Sequence, residues 1–507
     1  MKMNRREFVY TTGLGIAATT LPGRAADNKI KRPNLLIIQT DEHNFRTLGC
    51  YRKLMNSDQA MIWGPDAKVE TPHIDSIAAQ GATCTRCYAT SPVCSPSRGA
   101  FVTGLYPQNT PVVQNNVPLG DDVITFAELL RKAGYSTGYA GKWHLDGGGK
   151  PQWEPERRFG FADNRFMYNR GHWKQLEITK TGPRVKARNN KGKPSYGCNG
   201  AGEKSFTTDF LADRTIEFIN DHKDSPFCYM VSIPDPHGPN SVRKPYDTMY
   251  DAMKFTPPST MNKSPKNNPI WAKKQVKKFN SNLLKKYFGM VKCIDDNVGK
   301  ILTSLRDNNL LDNTIVVFTS DHGDLCFEHA RQNKGVPLEA SAKIPFVISM
   351  PGTIKPNTAI SHPMGTVDFL PTILGLMGVK TAGKEEGSDF SALFQGKTVA
   401  SNKTAFSRAC AANTSPTAWL AAIDDRYKLI LCNACEPWLI DNKNDPNELT
   451  NHFFNPDHRK TVRRLAKDMQ TYGTTCNDPF IQLPYLKHDL QWAANGTQPY
   501  KSPTRIT

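Results

Sequence analysis

Past residue 25 the sequence has no apolar run long enough to cross a bilayer as a helix, which takes about 20 residues. It has no internal repeat and no low-complexity tract, which excludes solenoids, propellers and compositionally biased chains. Its 12 cysteines are scattered over 507 residues, so a small disulfide scaffold is excluded. Cys84-x-x-Cys87 and Cys432-x-x-Cys435 lie too far apart to share a zinc site by any usual spacing, and structural or local disulfide roles are expected of them. Acid is the scarcer charge. There are 65 Lys and Arg against 47 Asp and Glu, for a net charge of +18, and residues 256–294 contain no acid at all. Such a balance favours polyanionic partners. The two basic stretches, Lys174–Lys204 and Lys263–Lys286, carry no interleaved aromatic pattern, so nucleic acid is not expected as a partner.

What is present begins with a targeting pattern. Arg5-Arg6 precede the weakly apolar stretch TTGLGIAATTLPG and the small residues of GRAADN. A twin-arginine-like signal peptide is expected over residues 1–25, and with it a periplasmic or secreted location. The remainder alternates apolar strand-like runs with amphipathic helix-like segments. NLLIIQ, STGYA, FCYMVSI, TIVVFTS and IPFVISM read as strands. TPHIDSIAAQG, TFAELLRKAG (with a Thr125–Glu128 capping box), residues 209–220, LLKKYFGMVKCIDDNVGKILTSL and TVDFLPTILGLMG read as helices. This alternation predicts an α/β fold with a large, mostly parallel sheet sandwiched by helices. It is expected over residues 30–395. After the polar stretch 396–404 the pattern changes to paired strands and one helix, so a smaller α+β domain with an antiparallel sheet and a tail is expected over 400–507. The stretch from about Gly473 is turn-rich and polar in composition and is expected to wrap the main domain.

Strands of a parallel sheet end on one edge, and ligands bind in the crevice there. The residues following each strand are therefore informative. They are Asp41 and Glu42, then Lys142 and His144, then His237, then Asp321, His322 and Asp324, with Lys334 further on. Carboxylates on two strand ends suit a hard divalent cation, and one imidazole can join them. Lys142 and Lys334 suit an anion. A cation site ringed by basic side chains describes a place for a sulfate or phosphate ester. PVCSPSRG, residues 92–99, adds Cys94 at a helix start with Arg98 one turn on. The helix dipole and Arg98 favour negative charge at position 94. A plain thiolate attacking a sulfate ester would form an adduct that water releases poorly, so Cys94 is expected to act as something other than cysteine.

Cys94-Ser95-Pro96-Ser97-Arg98 followed by GAFVTGLYP resembles the signature of the type I sulfatases of the alkaline phosphatase superfamily. Further segments run in the family's order over about residues 32–455: PNLLIIQTDE, GYAGKWHL, DPHGP, SDHGD with NKG, TVDFLPTILGLMG, and RYKLI with DPNELTN. The resemblance implies an alkaline-phosphatase-like fold and the oxidation of Cys94 to formylglycine by a formylglycine-generating enzyme during maturation. One hydroxyl of the hydrated aldehyde would then attack sulfur and displace the alcohol; loss of the proton of the second would expel sulfate. It implies one divalent ion, Ca²⁺ ahead of Mg²⁺, on Asp41, Glu42, position 94, Asp321 and His322. Many members carry Asp at the Glu42 position, and Glu42 is expected either as a ligand or one layer out. It further implies Lys142 on the sulfate, His144 as the group deprotonating the hydrate, Arg98 beside position 94, and His237 with Lys334 at the leaving oxygen. Phe327 stands where many members have glycine.

The resulting expectation is a sulfuric ester hydrolase acting on a sulfated glycan. Aryl or choline sulfate is the alternative substrate. A phosphodiester or phosphonate monoester hydrolase of the same superfamily is the alternative enzyme, and a sulfated-glycan-binding protein with an inert site the non-enzymatic alternative.

Overall fold

The computed structural model describes residues 32–263, 269–273, 275–399 and 404–505. The expected signal peptide and the Lys266 and Lys274 positions lie outside them. Residues 33–507 form one compact unit. No helix of the described residues is long and apolar enough to cross a membrane.

The main sheet comprises β1 (Asn34–Asp41), β2 (Ala82–Cys84), β3 (Ser136–Lys142), β4 (Asp163–Tyr168), β5 (Phe227–Pro236), β6 (Thr314–Ser320), β7 (Phe346–Ser349) and β8 (Thr358–Ile360). Its eight strands are ordered β8-β2-β7-β6-β1-β5-β3-β4. All neighbours pair parallel except that β7 runs antiparallel to both β6 and β2, so the sheet is mixed with a single reversed strand. β1 is central and buried along its whole length, which is why it reads as an unbroken apolar run rather than an alternation. Its alternate side chains feed two cores. Leu35 and Ile37 face Phe101, Val102, Phe126 and Phe369. Leu36 and Ile38 face Ile74, Ile77, Phe210, Leu211, Ile294 and Val298. The helices α1 (Pro72–Ala79), α4 (Thr207–Asp221) and α5 (Ser281–Asp307) thus cover one face. Helices α2 (Cys94–Thr103), α3 (Phe126–Lys132) and α6 (Phe369–Met377) cover the other.

Local signals held where they rested on backbone chemistry. Thr125 and Glu128 make a reciprocal capping box at the start of α3, and Gly134 closes that helix with φ at +84°. Pro72 is the first residue of α1, but Thr71 makes no capping bond. Its hydroxyl instead accepts the Gly49 amide and donates to Asp75. Gly141, one residue before Lys142, has φ at +100°, and a Cβ there would lie 2.0 Å from the Ser232 carbonyl oxygen. No side chain fits where β3 crosses so close to β5.

A second sheet, β9 (Ala405–Arg408), β10 (Trp419–Ile423), β11 (Tyr427–Cys432) and β12 (Trp438–Asp441), is an antiparallel meander. One face packs on α7 (Arg459–Thr475) and α8 (Pro484–Asn495). The other packs on Val336, Leu338 and Ala340. Despite its turn-rich composition the tail forms α8, because Leu486, Leu490, Ala493 and Ala494 share a helical face and are buried. Cys432 and Cys435 form a disulfide, while Cys84 and Cys87 are free and buried.

The helix carrying Cys94 and Arg98 is seated by aromatic packing. Phe101 stacks on Phe369 with ring centroids 3.8 Å apart, and both meet Phe126 edge-on. Phe101→Ala should destabilise the protein by about 3–5 kcal/mol, measured as a shift in the urea unfolding midpoint; an unchanged midpoint would show that α2 is held by something other than this stack.

Candidate active site

The strand ends do converge. Between Thr40 and Asp41 the register of β1 against β5 shifts, which turns Asp41 off the regular ladder. Asp321 and His322 follow β6, next to it. Cys94 is the first residue of α2 rather than the residue before it, because Val93 is the extended cap and Pro96 sits in the first turn. Cys94, Arg98, Asp41, Asp321, His322 and Lys142 are all buried.

Arg98 organises the centre. Its Nε donates to Asp321 Oδ2 at 2.9 Å and its Nη2 to Asp41 Oδ2 at 3.3 Å. Its Nη1 donates to the Lys142 carbonyl at 2.8 Å and to the Ser232 hydroxyl at 2.7 Å. The Lys142 ammonium also pairs with Asp41 Oδ2. The cations therefore occupy the two Oδ2 atoms and leave the Oδ1 atoms facing inward. Cys94 Sγ lies 3.7 Å from Asp41 Oδ1 and 3.3 Å from His322 Nε2. His322 Nε2 lies 3.8 Å from Asp41 Oδ1 and 3.6 Å from Asp321 Oδ1. Asp41, Cys94, Asp321 and His322 can each offer one donor atom, all within 4.8 Å of one another. Two carboxylate oxygens and an imidazole around one point are a donor set that fits a hard divalent cation.

Electrostatics follow from this packing. Burial pushes the Asp41 carboxyl up, but Lys142 above all, with His237 and Arg98, outweighs it and holds it well below the usual range. Burial likewise opposes the charged form of His322, yet the Asp321 carboxylate outweighs it and raises the imidazole to about 9. For the Cys94 thiol, burial and Asp41 push upward, but Lys142, Lys334 and His322 bring it well below its ordinary value.

A second group adjoins the first. His237 Nε2 is 2.9 Å from Glu42 Oε2 and 2.7 Å from Lys334 Nζ, and Lys334 Nζ is 2.9 Å from the same Glu42 oxygen. Glu42 is thus held by His237 and Lys334 and is not one of the four clustered donors. Its other oxygen, Oε1, is buried without a hydrogen-bond partner among the described residues. Burial pushes the Glu42 carboxyl up, but His237 and Lys334 hold it at about 2. Glu42 itself has φ at +64°, the left-handed conformation that aims its side chain sideways from β1. His144 also has a positive φ, 63°, and its Nε2 faces Asn116 Oδ1 at 3.2 Å. Burial lowers it to about 4. Asp324 lies beside this group, and burial together with Glu42 raises it to about 7.

Two groups escaped the sequence reading. His172 Nε2 is 2.9 Å from Lys142 Nζ, and its ring stacks on that of His237. It follows β4, whose sequence DNRFMY neither alternates nor forms an apolar run, so the strand went unread and its end with it. Lys174, counted within a basic stretch, is not on a solvated face: it is fully buried and pairs with Asp235 Oδ1 at 2.6 Å. The other basic residues of that stretch, Lys180 through Lys204, are exposed.

Comparison with known proteins identifies the family. The Sulfatase family model matches residues 33–379. The chain belongs to the sulfatase family. A second model, the N-sulphoglucosamine sulphohydrolase C-terminal region, matches residues 327–474. The ulvan-active sulfatase of Formosa agariphila is 28% identical over 92% of this chain and 86% of its own length. The N-acetylglucosamine-6-O-sulfatase of Bacteroides thetaiotaomicron is 24% identical over 90% and 89%. Among solved structures, a protein in complex with its substrate D-glucosamine-2-N,6-O-disulfate superposes with a TM-score of 0.72 at 21% identity, over 89% of this sulfatase and 99% of that chain. The phosphonate monoester hydrolase of Agrobacterium radiobacter superposes with a TM-score of 0.68 at 21% identity, over 90% and 97%. These two likenesses concern the fold.

Burial opposes charge on His237, but the Glu42 carboxylate outweighs it and raises the imidazole above its ordinary value. A histidine NMR titration should place the His237 midpoint above about 6.5, and Glu42→Gln should bring it below that value. An unmoved midpoint in the variant would remove Glu42 as the cause.

Proposed function

We propose that this sulfatase is an exported sulfuric ester hydrolase that removes sulfate from a sulfated carbohydrate. In this reading Cys94 is converted to formylglycine by a formylglycine-generating enzyme during maturation. One divalent ion, Ca²⁺ ahead of Mg²⁺, is held by Asp41, position 94, Asp321 and His322, with Glu42 alongside. The observation that carries the proposal is the arrangement around position 94: inward-facing donors on one side and Arg98 and Lys142 behind them. His237 and Lys334 stand together next to it.

A divalent ion there would supply Lewis acidity, favouring the ionised form of an oxygen bound beside it. The aldehyde hydrate supplies two hydroxyls on one carbon, one to attack sulfur and one whose deprotonation releases sulfate. Arg98 is fixed by two carboxylates, a carbonyl and a hydroxyl, so it presents its charge to the sulfate without reorganising. Lys142 adds a second positive charge. His144, neutral at working pH, is suited to take the proton of the second hydroxyl. His237 and Lys334, which share the Glu42 carboxylate, are suited to supply a proton to the departing oxygen.

Carbohydrate is favoured as the substrate class by the names of the relatives and by the exposed lysines and arginines of residues 180–204, which suit a polyanion. Export rests on the Arg5-Arg6 segment.

Four measurements check this. The peptide containing residue 94, from protein made in a host with the maturation enzyme, should carry the mass of an aldehyde rather than a thiol. Cys94→Ala and Cys94→Ser should lower kcat/KM by at least about 10³-fold with the fold intact by circular dichroism; activity close to wild type would end the mechanism. His237→Ala should cost about 10²–10⁴-fold on a sugar sulfate and much less on 4-nitrophenyl sulfate, whose leaving group needs no proton. Rates on aryl phosphates, phosphonates and phosphodiesters above those on sulfates would transfer the same machinery to phosphorus esters.

A further inference from the structure

His172 stands inside the reacting cluster, between its two halves. Its Nε2 is 2.9 Å from Lys142 Nζ and 3.7 Å from Asp41 Oδ2. Its ring lies flat on that of His237, with centroids 3.5 Å apart and planes 7° from parallel. The side chain keeps 18% of its surface exposed, so it borders the space a substrate would enter.

The chemistry of each contact is fixed by its partner. An ammonium only donates, so at 2.9 Å the Nε2 of His172 accepts from Lys142. The ring is then neutral with its proton on Nδ1. Lys142 has two partners in this set, Asp41 on one side and His172 on the other, and these two fix where its ammonium points. His237 has a different need. The torsion that turns an imidazole about its own stem has broad minima, so a histidine plane is weakly set by rotamer preference alone. The Nδ1 of His237 is 2.8 Å from the adjacent Gly238 carbonyl, and its Nε2 must face Glu42 and Lys334 together. A parallel ring against its face removes the remaining rotation.

We infer that His172 is a positioning residue with two separable effects: its ring face holds the plane of His237 on the leaving-group side, and its Nε2 aims Lys142 on the sulfate side. The first effect rests on the reading of His237 as proton donor given above. The two effects reside in different parts of one side chain, so substitutions can divide them. His172→Phe keeps a flat face and loses the acceptor. His172→Gln keeps an acceptor at similar reach and loses the face, and His172→Asn serves as a second faceless variant should the Gln protein fail to fold.

The experiment measures kcat/KM of the formylglycine-containing enzyme on aryl sulfates of graded leaving-group pKa and on one sugar sulfate, with wild type, His237→Ala and the three His172 variants. It also measures inhibition by inorganic sulfate. Loss of the face should steepen the dependence on leaving-group pKa, as His237→Ala does, with at least about tenfold greater loss on the sugar sulfate than on 4-nitrophenyl sulfate. His172→Phe should keep the wild-type slope and weaken inhibition by sulfate about tenfold. A wild-type slope in His172→Gln or His172→Asn, alongside a steep one in His237→Ala, would overturn this inference alone. A wild-type slope in His237→Ala would overturn the proton-donor reading and the face effect with it. Unchanged inhibition by sulfate in His172→Phe would remove the Lys142 effect.

Discussion

The site depends on one buried charge cluster: Asp41 and Asp321 bridged by Arg98, with Lys142 against Asp41. Buried charges are tolerated when they are paired and their remaining donors and acceptors are satisfied, and removing one partner of such a pair costs about 3–5 kcal/mol. Arg98 meets that requirement through the Lys142 carbonyl and the Ser232 hydroxyl as well as both carboxylates. It thereby ties together β1, β3, β5, α2 and the loop after β6. The same bonds decide which carboxylate oxygens the cations take. Because the cations take the outer oxygen of each carboxylate, the inner oxygens, His322 Nε2 and Cys94 Sγ are left to face one another. Stability and reactivity are therefore not separate properties of this cluster.

The sheet of residues 405–441 contributes to this site at a distance. The Trp419 indole donates to the Gly335 carbonyl at 3.2 Å, one residue from Lys334. The fully buried Lys428 donates to the Pro337 carbonyl and pairs with Glu448 and Glu339, each at 2.8 Å. These bonds hold the segment carrying Lys334 from behind. That segment needs holding, because Cys326, Phe327, His329, Ala330 and Asn333 all adopt positive φ. Non-glycine residues persist in such conformations only when their surroundings impose them. The buried Arg46–Glu328 ion pair, at 3.1 Å, adds a tie from the other side.

Much of this was legible in the sequence, and the failures have definite physical causes. Central strands buried on both faces announce themselves as apolar runs, so β1, β5 and β6 and the residues after them could be read directly. Asp41, His237, Asp321 and His322 were found as strand-end residues for that reason. Strand direction leaves no trace in periodicity, so the reversal of β7 could not be read. Edge strand β4 carries a mixed burial pattern, and with it went His172. Lys174 was counted as surface charge because composition cannot show that Asp235 waits for it in the interior. The segment from Gly473 was dismissed for its turn-rich composition although Leu486, Leu490 and Ala493 lie at helical spacing. The division of labour between Glu42 and the four clustered donors depends on the bulge at Asp41 and the left-handed turn at Glu42, and neither has a sequence signature.

Cys94 is 2% exposed and opens a helix whose every residue is buried. Its sulfur is enclosed by Asp41 and His322, and Ser97 and Arg98 anchor the same turn to residue 321. No enzyme can grip a peptide segment in that condition. In the proposed maturation, the enzyme that oxidises Cys94 would have to meet the chain before residues 92–99 fold, so folding and that reaction would compete for the same segment. For the proposed conversion, the relative rates of folding and of oxidation would then set the fraction of chains that become competent.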